Sequence, residues 1–276
     1  MAIVAENTSS QAYNNSDSSY TLSHTCTGAN FLVVCVAEAS GNGPSGVTYN
    51  GTAMTKSAQY ASFKHNSIWT LADPSSGTNN VVVSIINGQG GIIGAISFTG
   101  TNKTTDGSNA SNTYTTGTSQ QANFTTTYDN TLIVCSAYVN AVISSYTLTE
   151  QASQTQKWLK DAATPYKIGA CSTKATTTAG AKTVGYDGSG GSALQVISLG
   201  IRESAPVAPT VTTQAATLVT KNSFTGNGNI TATGGANATR RGFCYKVGTS
   251  GDPTVADSIV YDDGDFGTGA FSENIT

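Results

Sequence analysis

The most constraining feature of this sequence is a long series of short apolar or threonine-rich segments, each ended by a turn residue. The series includes YTLSHTC, FLVVCVAEA, GVTY, SIWTLA, NVVVSII, GIIGAISFT, TLIVCSAYV and ALQVISLGIRE. Gly, Asn, Ser or Pro ends each segment, and no long stretch carries the 3.6-residue period of a helix. Many short strands between regular turns predict an all-β chain that folds as an antiparallel β-sandwich, jelly-roll-like in outline.

The clearest local signal is the hairpin GVTYNGTAMTKS at residues 46–57. A two-residue hairpin loop needs positive φ at both central positions, and Asn-Gly supplies it at low steric cost. Val, Thr and Tyr alternate on the flanks, as strand positions favour. We therefore predict a tight hairpin turn at Asn50-Gly51.

Two central segments, FLVVCVA and TLIVCSAY, are apolar on nearly every residue. Strands of this kind are covered on both faces, by their own domain or by a neighbouring subunit. The two segments share the pattern Asn-x-Leu-x-Val-Cys, starting at Asn30 and Asn130. Duplication of a half-sandwich would explain the echo, but nothing else aligns, and we interpret it as two central strands meeting the same packing demand.

Composition narrows the function classes. Charged residues make up 11% of the 276, the formal net charge is −3, and the lysines and arginines are scattered. A nucleic-acid-binding protein carries a basic stripe, and a membrane-spanning helix needs about 20 apolar residues, so neither partner is expected. The N-terminus MAIVAENTSSQ lacks a basic region and a long apolar run, so no signal peptide is expected.

The cysteines and histidines do not suggest a reactive centre. The five cysteines show no Cys-x-x-Cys spacing, and Cys35 and Cys135 lie inside apolar segments, which predicts buried free thiols rather than disulfides or a metal cluster. His24 and His65, the two histidines, are expected to be ordinary surface or strand residues. The glutamates are isolated from one another in sequence, so the acid pair of a glycosidase is not indicated. No cofactor is expected, and the protein is predicted not to be an enzyme.

After GIRE the character of the sequence changes. SAPVAPTVTT, residues 204–213, carries Pro206 and Pro209, and proline favours an extended, semi-rigid spacer. We place a linker there, between a β-sandwich domain at residues 1–203 and a second module at 206–276.

Within the first domain, the words GVTYNGTAMTK, SIWTLADPSSGTNNVVVSI and GAISFTGTN occur in order. Together they resemble a β-sandwich module of phage structural proteins and large bacterial surface proteins, over about residues 15–203. The resemblance implies docking, assembly or binding, and it names no ligand.

The second segment, from PTVTTQAATLVT to GDFGTGAFSENIT, resembles a bacterial fibronectin type III-like, immunoglobulin-like module. That family continues into further strands after its Gly-Thr-Gly-x-Phe stretch, whereas this sequence stops at Thr276. A closed sandwich of this type needs about seven strands over about 100 residues. We therefore expect either that the natural protein continues, or that a neighbouring subunit donates a strand.

Two groups of residues are candidate binding sites. YDDGDFGTG contains Asp262, Asp263 and Asp265, which could offer oxygen ligands to calcium, although a solvated acidic turn is the simpler interpretation. Trp158 lies among polar residues in QTQKWLKD, and with Tyr146 or Tyr166 it could stack on a sugar ring. The alternative for Trp158 is a rim residue folded over the edge of the sandwich.

These observations predict a non-enzymatic virion structural protein: a phage head fibre, decoration or tail-appendage subunit that acts in particle assembly or attachment to the host surface. Its partners would be other virion proteins or sister subunits in a homo-oligomer, and a host cell-surface glycan. One alternative is a bacterial cell-surface adhesin or extracellular filament subunit. A second alternative is the glycan-binding accessory region of a secreted enzyme.

Overall fold

The computed structural model describes residues 2–13, 17–39, 42–61, 64–85, 90–109, 115–116, 119–140, 146–163, 166–188, 193–248 and 250–276. Every regular element in these ranges is a β-strand, and all strand pairs are antiparallel. The all-β, antiparallel class predicted from the sequence is therefore confirmed. The chain divides into two compact units, Ala2–Ser204 and Ala205–Thr276.

The first half of the larger unit is one two-sheet sandwich. Its strands are β1 (Val4–Tyr13), β2 (Ser19–Cys26), β3 (Phe31–Glu38), β4 (Pro44–Tyr49), β5 (Thr52–Ala53), β6 (Thr55–Ala61), β7 (His65–Ala72), β8 (Gly77–Ile85) and β9 (Gly91–Thr99). Sheet A has the order β1-β9-β3-β7-β6, and sheet B has the order β2-β8-β4-β5.

The second half is another two-sheet sandwich. Its strands are β10 (Thr101–Asn109), β11 (Thr115–Thr116), β12 (Ser119–Thr126), β13 (Leu132–Asn140), β14 (Leu148–Glu150), β15 (Thr155–Ala163), β16 (Tyr166–Ala175), β17 (Gly180–Gly188) and β18 (Ala193–Glu203). Sheet C has the order β10-β18-β13-β16-β15, with β11 also paired to β18, and sheet D has the order β12-β17-β14.

The two halves repeat one topology. Sheets A and C have the same strand order when β1, β9, β3, β7 and β6 are matched to β10, β18, β13, β16 and β15. The same matching relates β2-β8-β4 of sheet B to β12-β17-β14 of sheet D. A bulge recurs at matching places, between Lys56 and Ala58 in β6 and between Gln156 and Trp158 in β15. Our interpretation of a single sandwich without duplication therefore differs from the structure, which contains two stacked sandwiches.

The four sheets stack in the order B, A, C, D. One apolar core fills the space between B and A, a second lies between A and C, and a third lies between C and D. β3 is buried along its whole length because sheet A is covered on both faces, and β13 is covered in the same way. The continuous apolar character of these strands follows from this double cover.

The sequence echo does not mark equivalent positions. Leu32 points toward sheet B, whereas Leu132 packs on the core between A and C. Likewise Cys35 lies between A and C, whereas Cys135 lies between C and D. A one-residue shift reverses the face of every side chain in a strand, so the echo is out of register with the structural repeat by one residue.

The contacts between the repeats are reciprocal. β1 packs against β15 of the other repeat, and their counterparts β10 and β6 pack against each other in the same way. β9 and β16 also form a contact, and so do their counterparts β18 and β7. In an isologous dimer each surface patch meets its own counterpart in this manner. The two repeats thus pack like the subunits of a twofold dimer joined in one chain.

The turn at Asn50-Gly51 is confirmed. Tyr49 pairs with Thr52 across a two-residue loop, with φ of 48° at Asn50 and 79° at Gly51. Positive φ at both central positions is the geometry of a type I′ hairpin turn.

The smaller unit is a thin two-sheet structure. Its strands are β19 (Thr210–Thr217), β20 (Phe224–Ala232), β21 (Ala238–Tyr245), β22 (Ser258–Phe266) and β23 (Gly269–Ile275). Sheet E has the order β19-β20-β23, and sheet F consists of β21 and β22. Among the residues described in this unit, Ile230 and Ile275 are the buried hydrophobic ones.

Candidate functional site

Two of the three aromatic residues considered for sugar stacking, Trp158 and Tyr146, are not presented to solvent. Trp158 is 7% exposed, between sheets A and C, and its ring occupies the space left by the missing side chain of Gly94. Tyr146 is 6% exposed and packs between sheets C and D. Trp158 therefore occupies neither the exposed stacking position nor the rim position considered for it, and it offers no free ring face to a sugar. Tyr166 pairs through its backbone with Ala163, and its side chain lies outside the described part of the structure.

The acidic segment does not converge on one point. Asp263 accepts two hydrogen bonds from the Arg240 guanidinium, at 2.7 and 2.9 Å. Asp262 lies instead beside Glu273, and this carboxyl neighbour raises the pKa of Glu273. Among the described residues no group of three or more His, Cys, Asp or Glu side chains is arranged to hold a metal ion. The placement of Asp262, Asp263 and Asp265 therefore gives calcium binding no support.

Both histidines lie in strands, His24 in β2 and His65 at the start of β7, and both are buried rather than at the surface. His24 and His65 are each 2% exposed, and burial lowers the pKa of each imidazole to about 4. His24 Nδ1 lies 2.5 Å from Ser9 Oγ. Such a pair is one element of a Ser-His triad, but here the ring is buried away from any substrate. We assign the pair a structural role, closing β1 onto β2.

Four cysteines are buried and free, as predicted for Cys35 and Cys135. Cys26, Cys35, Cys135 and Cys171 are at most 1% exposed, and Cys244 is half-buried. Burial raises the pKa of the Cys135 and Cys171 thiols well above the ordinary value, and the neighbouring Cys35 adds to the effect at Cys171. Thiols held protonated in an apolar core are poor nucleophiles.

A polar cluster that the sequence did not indicate lies between sheets A and C. Asn66 of β7 exchanges two hydrogen bonds with Ser136 of β13, at 3.1 and 3.3 Å. Tyr138 and Gln195 are paired positions of β13 and β18; the Tyr138 hydroxyl and both amide atoms of Gln195 are buried without a hydrogen-bond partner in the described residues. Buried polar groups of this kind are commonly satisfied by ordered water, so we interpret the cluster as part of the joint between the repeats.

The smaller unit contains an open groove of about 240 Å³ between its two sheets. Val211 and Ile230 of sheet E and Phe243 of sheet F give it an apolar lining. The Arg241 guanidinium also borders it, 4.1 Å from the Phe266 ring centre. Arg241 Nε is buried without a hydrogen-bond acceptor among the described residues.

Exposed large hydrophobic side chains are concentrated in the same unit. Of the 11 found in the described residues, eight lie in it: Val207, Val211, Leu218, Val219, Val247, Val255, Ile259 and Tyr261. In β19 every side chain is exposed. Clustered exposed apolar residues mark interaction surfaces in soluble proteins. Of these eight residues Val211 lines the groove, and we take the groove, defined by Val211, Ile230, Arg241, Phe243 and Phe271, as the candidate functional site.

Comparison with known proteins places this chain in no family. No protein-family model, no curated protein and no solved structure matches it. In the residues that the structure describes, no helix is both long and apolar enough to cross a membrane.

Proposed function

We propose that the protein is a structural subunit of a virion, which acts by binding and assembly rather than by turnover. The observation that carries the proposal is the division of roles between the two units. Residues 2–204 form a deeply packed stack, whereas residues 205–276 present exposed apolar side chains and an open groove.

The larger unit has the properties of a rigid mount. Its four sheets share three continuous cores, and its histidines and four of the cysteines lie inside them. Close packing gives protein interiors low compressibility and transmits force through them. The histidine and four of the cysteine side chains of this unit are buried rather than exposed to solvent, which supports a structural role.

The smaller unit has the properties of a contact module. Open strand edges and exposed apolar patches are the surfaces through which β-proteins associate. A fibre, decoration or tail-appendage subunit needs such a surface for sister subunits, for other virion proteins or for a host glycan. The resemblance of the first segment to a module of phage structural proteins and bacterial surface proteins supports the same proposal.

The test is association with particles. Virions of the phage that encodes this chain would be purified on a density gradient and analysed by mass spectrometry, and antibodies against residues 2–204 would be used for immunogold electron microscopy. The proposal predicts that the protein bands with intact particles at a fixed copy number and labels one location. Recovery only from the bacterial cell surface would favour an adhesin or filament subunit, and recovery in frame with a catalytic domain would favour the accessory region of an enzyme; either result would contradict the virion assignment.

A further inference from the structure

Matching positions of the two repeats can be identified across sheets A and C. Repeat 1 comprises β1 to β9, and repeat 2 comprises β10 to β18. In repeat 1, one row of backbone partners consists of Ala58, Ile68, Cys35 and Gly94. The matching row of repeat 2 consists of Trp158, Cys171, Ser136 and Ile197. Ala58 and Trp158 directly follow the bulges of β6 and β15, which fixes the match between the rows.

Large and small side chains are exchanged between these rows. Gly94 of repeat 1 corresponds to Ile197 of repeat 2, and Ala58 corresponds to Trp158. A Cβ atom at Gly94 would overlap the Trp158 indole, so the ring fills the space that the glycine leaves. β6 contacts β18 as β15 contacts β9, and Ala58 and Ile197 are buried in the same core between A and C. By the twofold relation, each small residue therefore faces a large one from the other repeat.

A second glycine repeats this arrangement. Gly169 and Asn66 correspond, because they lie two residues before Cys171 and Ile68 on the same face of their strands. A Cβ atom at Gly169 would lie 3.0 Å from Ile92 Cγ2, closer than ordinary van der Waals contact. Ile92 of repeat 1 therefore fills the space beside a glycine of repeat 2.

The polar contact of the joint is also one-sided. Asn66 of repeat 1 exchanges hydrogen bonds with Ser136 of repeat 2, at 3.1 and 3.3 Å. The position of repeat 1 that corresponds to Ser136 holds Cys35, and the position of repeat 2 that corresponds to Asn66 holds Gly169. A thiol is a weak donor and acceptor, so only the two different repeats together supply both partners.

Pairing of like repeats would lose these matches. Two copies of repeat 1 would place Ala58 against Gly94 twice and leave cavities, which destabilise a core. Two copies of repeat 2 would place Trp158 against Ile197 twice and overpack the same space. In the first case Asn66 would also lose its hydroxyl partner inside an apolar core, where an unsatisfied amide is costly.

We propose that the joint between sheets A and C is heterospecific: the outer face of sheet A accepts repeat 2 and rejects a second repeat 1, and the facing surface of sheet C rejects a second repeat 2. Gly94, Trp158 and Asn66 determine this choice. Rejection by cavities and clashes is a common source of specificity between similar partners. Like repeats of two subunits therefore do not associate through these faces.

The experiment changes the size pattern in the full 276-residue chain. The large-large chain carries Ala58→Trp and Gly94→Ile, which reproduces the side-chain sizes of a joint between two copies of repeat 2. The small-small chain carries Trp158→Ala and Ile197→Gly, which reproduces those of a joint between two copies of repeat 1. The reversed chain carries all four substitutions, so that each contact again joins one large and one small residue. Urea unfolding followed by circular dichroism compares the three chains with the unmodified protein.

The large-large and small-small chains should each lose at least about 100-fold in the folding equilibrium constant, equivalent to about 2.8 kcal/mol. The reversed chain should be at least about tenfold more stable than either, although it carries the substitutions of both, because the changes at each contact compensate each other. A reversed chain less stable than both, or a large-large and a small-small chain as stable as the unmodified protein, would overturn the proposal.

A milder test covers the case in which the large-large chain does not fold. Gly94→Ala should lower the folding equilibrium constant at least about tenfold in the unmodified protein and less than about threefold in the Trp158→Leu background, where the ring that the Cβ atom would overlap is absent. Equal losses in the two backgrounds would overturn the assignment of Gly94 and Trp158 as the determinants.

Discussion

The two units, residues 2–204 and 205–276, differ in how completely the apolar faces of their sheets are covered. Each begins with sheets that are apolar on at least one face, and an apolar face is stable only when something covers it. In the larger unit every inner face has a cover, and sheets A and C each have two. In the smaller unit the two-stranded sheet F covers only part of the three-stranded sheet E. The regular elements described in both units are β-strands, so the difference lies in the amount of sheet that is available to cover another sheet.

In the larger unit the second repeat provides the cover for one face of sheet A. A single repeat would expose the face of sheet A that carries Phe31, Ile96 and Phe98. The second repeat covers that face with its own equivalent sheet, in reciprocal contact. The smaller unit, by contrast, has no such counterpart among the residues that the structure describes.

The largest expected effect is a complete difference in folding between the two units. Residues 206–276 expressed alone should show no cooperative, monomeric unfolding transition, because little apolar surface is buried there. Residues 2–204 expressed alone should unfold cooperatively. Circular dichroism melts of both segments are the measurement, and a cooperative monomeric melt of 206–276 would show that this unit is complete as it stands.

The second prediction concerns thiol reactivity. In the native protein Cys244, in the smaller unit, should react with a thiol reagent, and the four buried cysteines should react only after denaturation. Mass spectrometry with and without denaturant gives the count. Labelling of Cys35 or Cys135 in the native protein would mean that the larger unit opens, and loss of label in the denatured, unreduced protein would reveal a disulfide.

Truncating an apolar side chain should cost much more unfolding free energy in the larger unit than in the smaller one. Phe98→Ala removes a fully buried ring between sheets A and C and should cost about 3–5 kcal/mol of unfolding free energy. Val211→Ala, at a side chain 58% exposed in the smaller unit, should change stability by at most about 0.5 kcal/mol.

Urea unfolding is the measurement for Phe98→Ala, followed by the fluorescence of Trp69 and Trp158, which both lie in the larger unit. Hydrogen exchange in β20 is the measurement for Val211→Ala. A cost of less than about 1 kcal/mol for Phe98→Ala would mean that the joint between the repeats is loosely packed.

Acid should weaken the larger unit selectively. The pKa of His24 and of His65 is about 4 in the folded protein, below the ordinary value of 6.5, because burial disfavours the charged imidazole. Between these pH values the unfolded chain binds more protons than the folded chain, so stability is lost as the pH falls from 6.5 toward 4. The smaller unit has no histidine and lacks this contribution.

The urea midpoint measured at steps from pH 7 to pH 4.5 tests this prediction. His24→Asn and His65→Asn should each reduce the slope of the midpoint against pH. A slope that stays the same in both variants would assign the acid sensitivity to the carboxylates instead.

The smallest expected effect is local and independent of packing. Gly51→Ala places a side chain at φ of 79° and should cost about 1–2 kcal/mol. Gly46→Ala, in the same hairpin, meets no atom within 4 Å and has no left-handed φ, so it should be neutral or slightly stabilising. Thermal melts of both variants give the difference, and equal melting temperatures would show that the turn tolerates other geometries.

Several properties could be predicted from the sequence because they depend on local chemistry. The all-β class follows from turn residues at short spacing, and the Asn50-Gly51 hairpin follows from the φ preference of two residues. The burial of the Cys35 and Cys135 thiols follows from apolar neighbours in their strands. The groove in the C-terminal unit, its lining and the position of Arg241 required the tertiary structure.

Other properties depended on which sheet covers which. An apolar pattern determines that a face is buried but not what buries it, so one sandwich and two stacked sandwiches predict the same alternation. For the same reason Trp158, with polar neighbours in sequence, could be assigned to the surface, although sheet A covers it. The echo around Cys35 and Cys135 suggested equivalence, yet the strands are shifted by one residue. The sequence therefore predicts which side chains are buried, whereas only tertiary packing determines which sheet covers them. The physical reason is that the hydrophobic effect is non-directional and does not select one apolar partner over another.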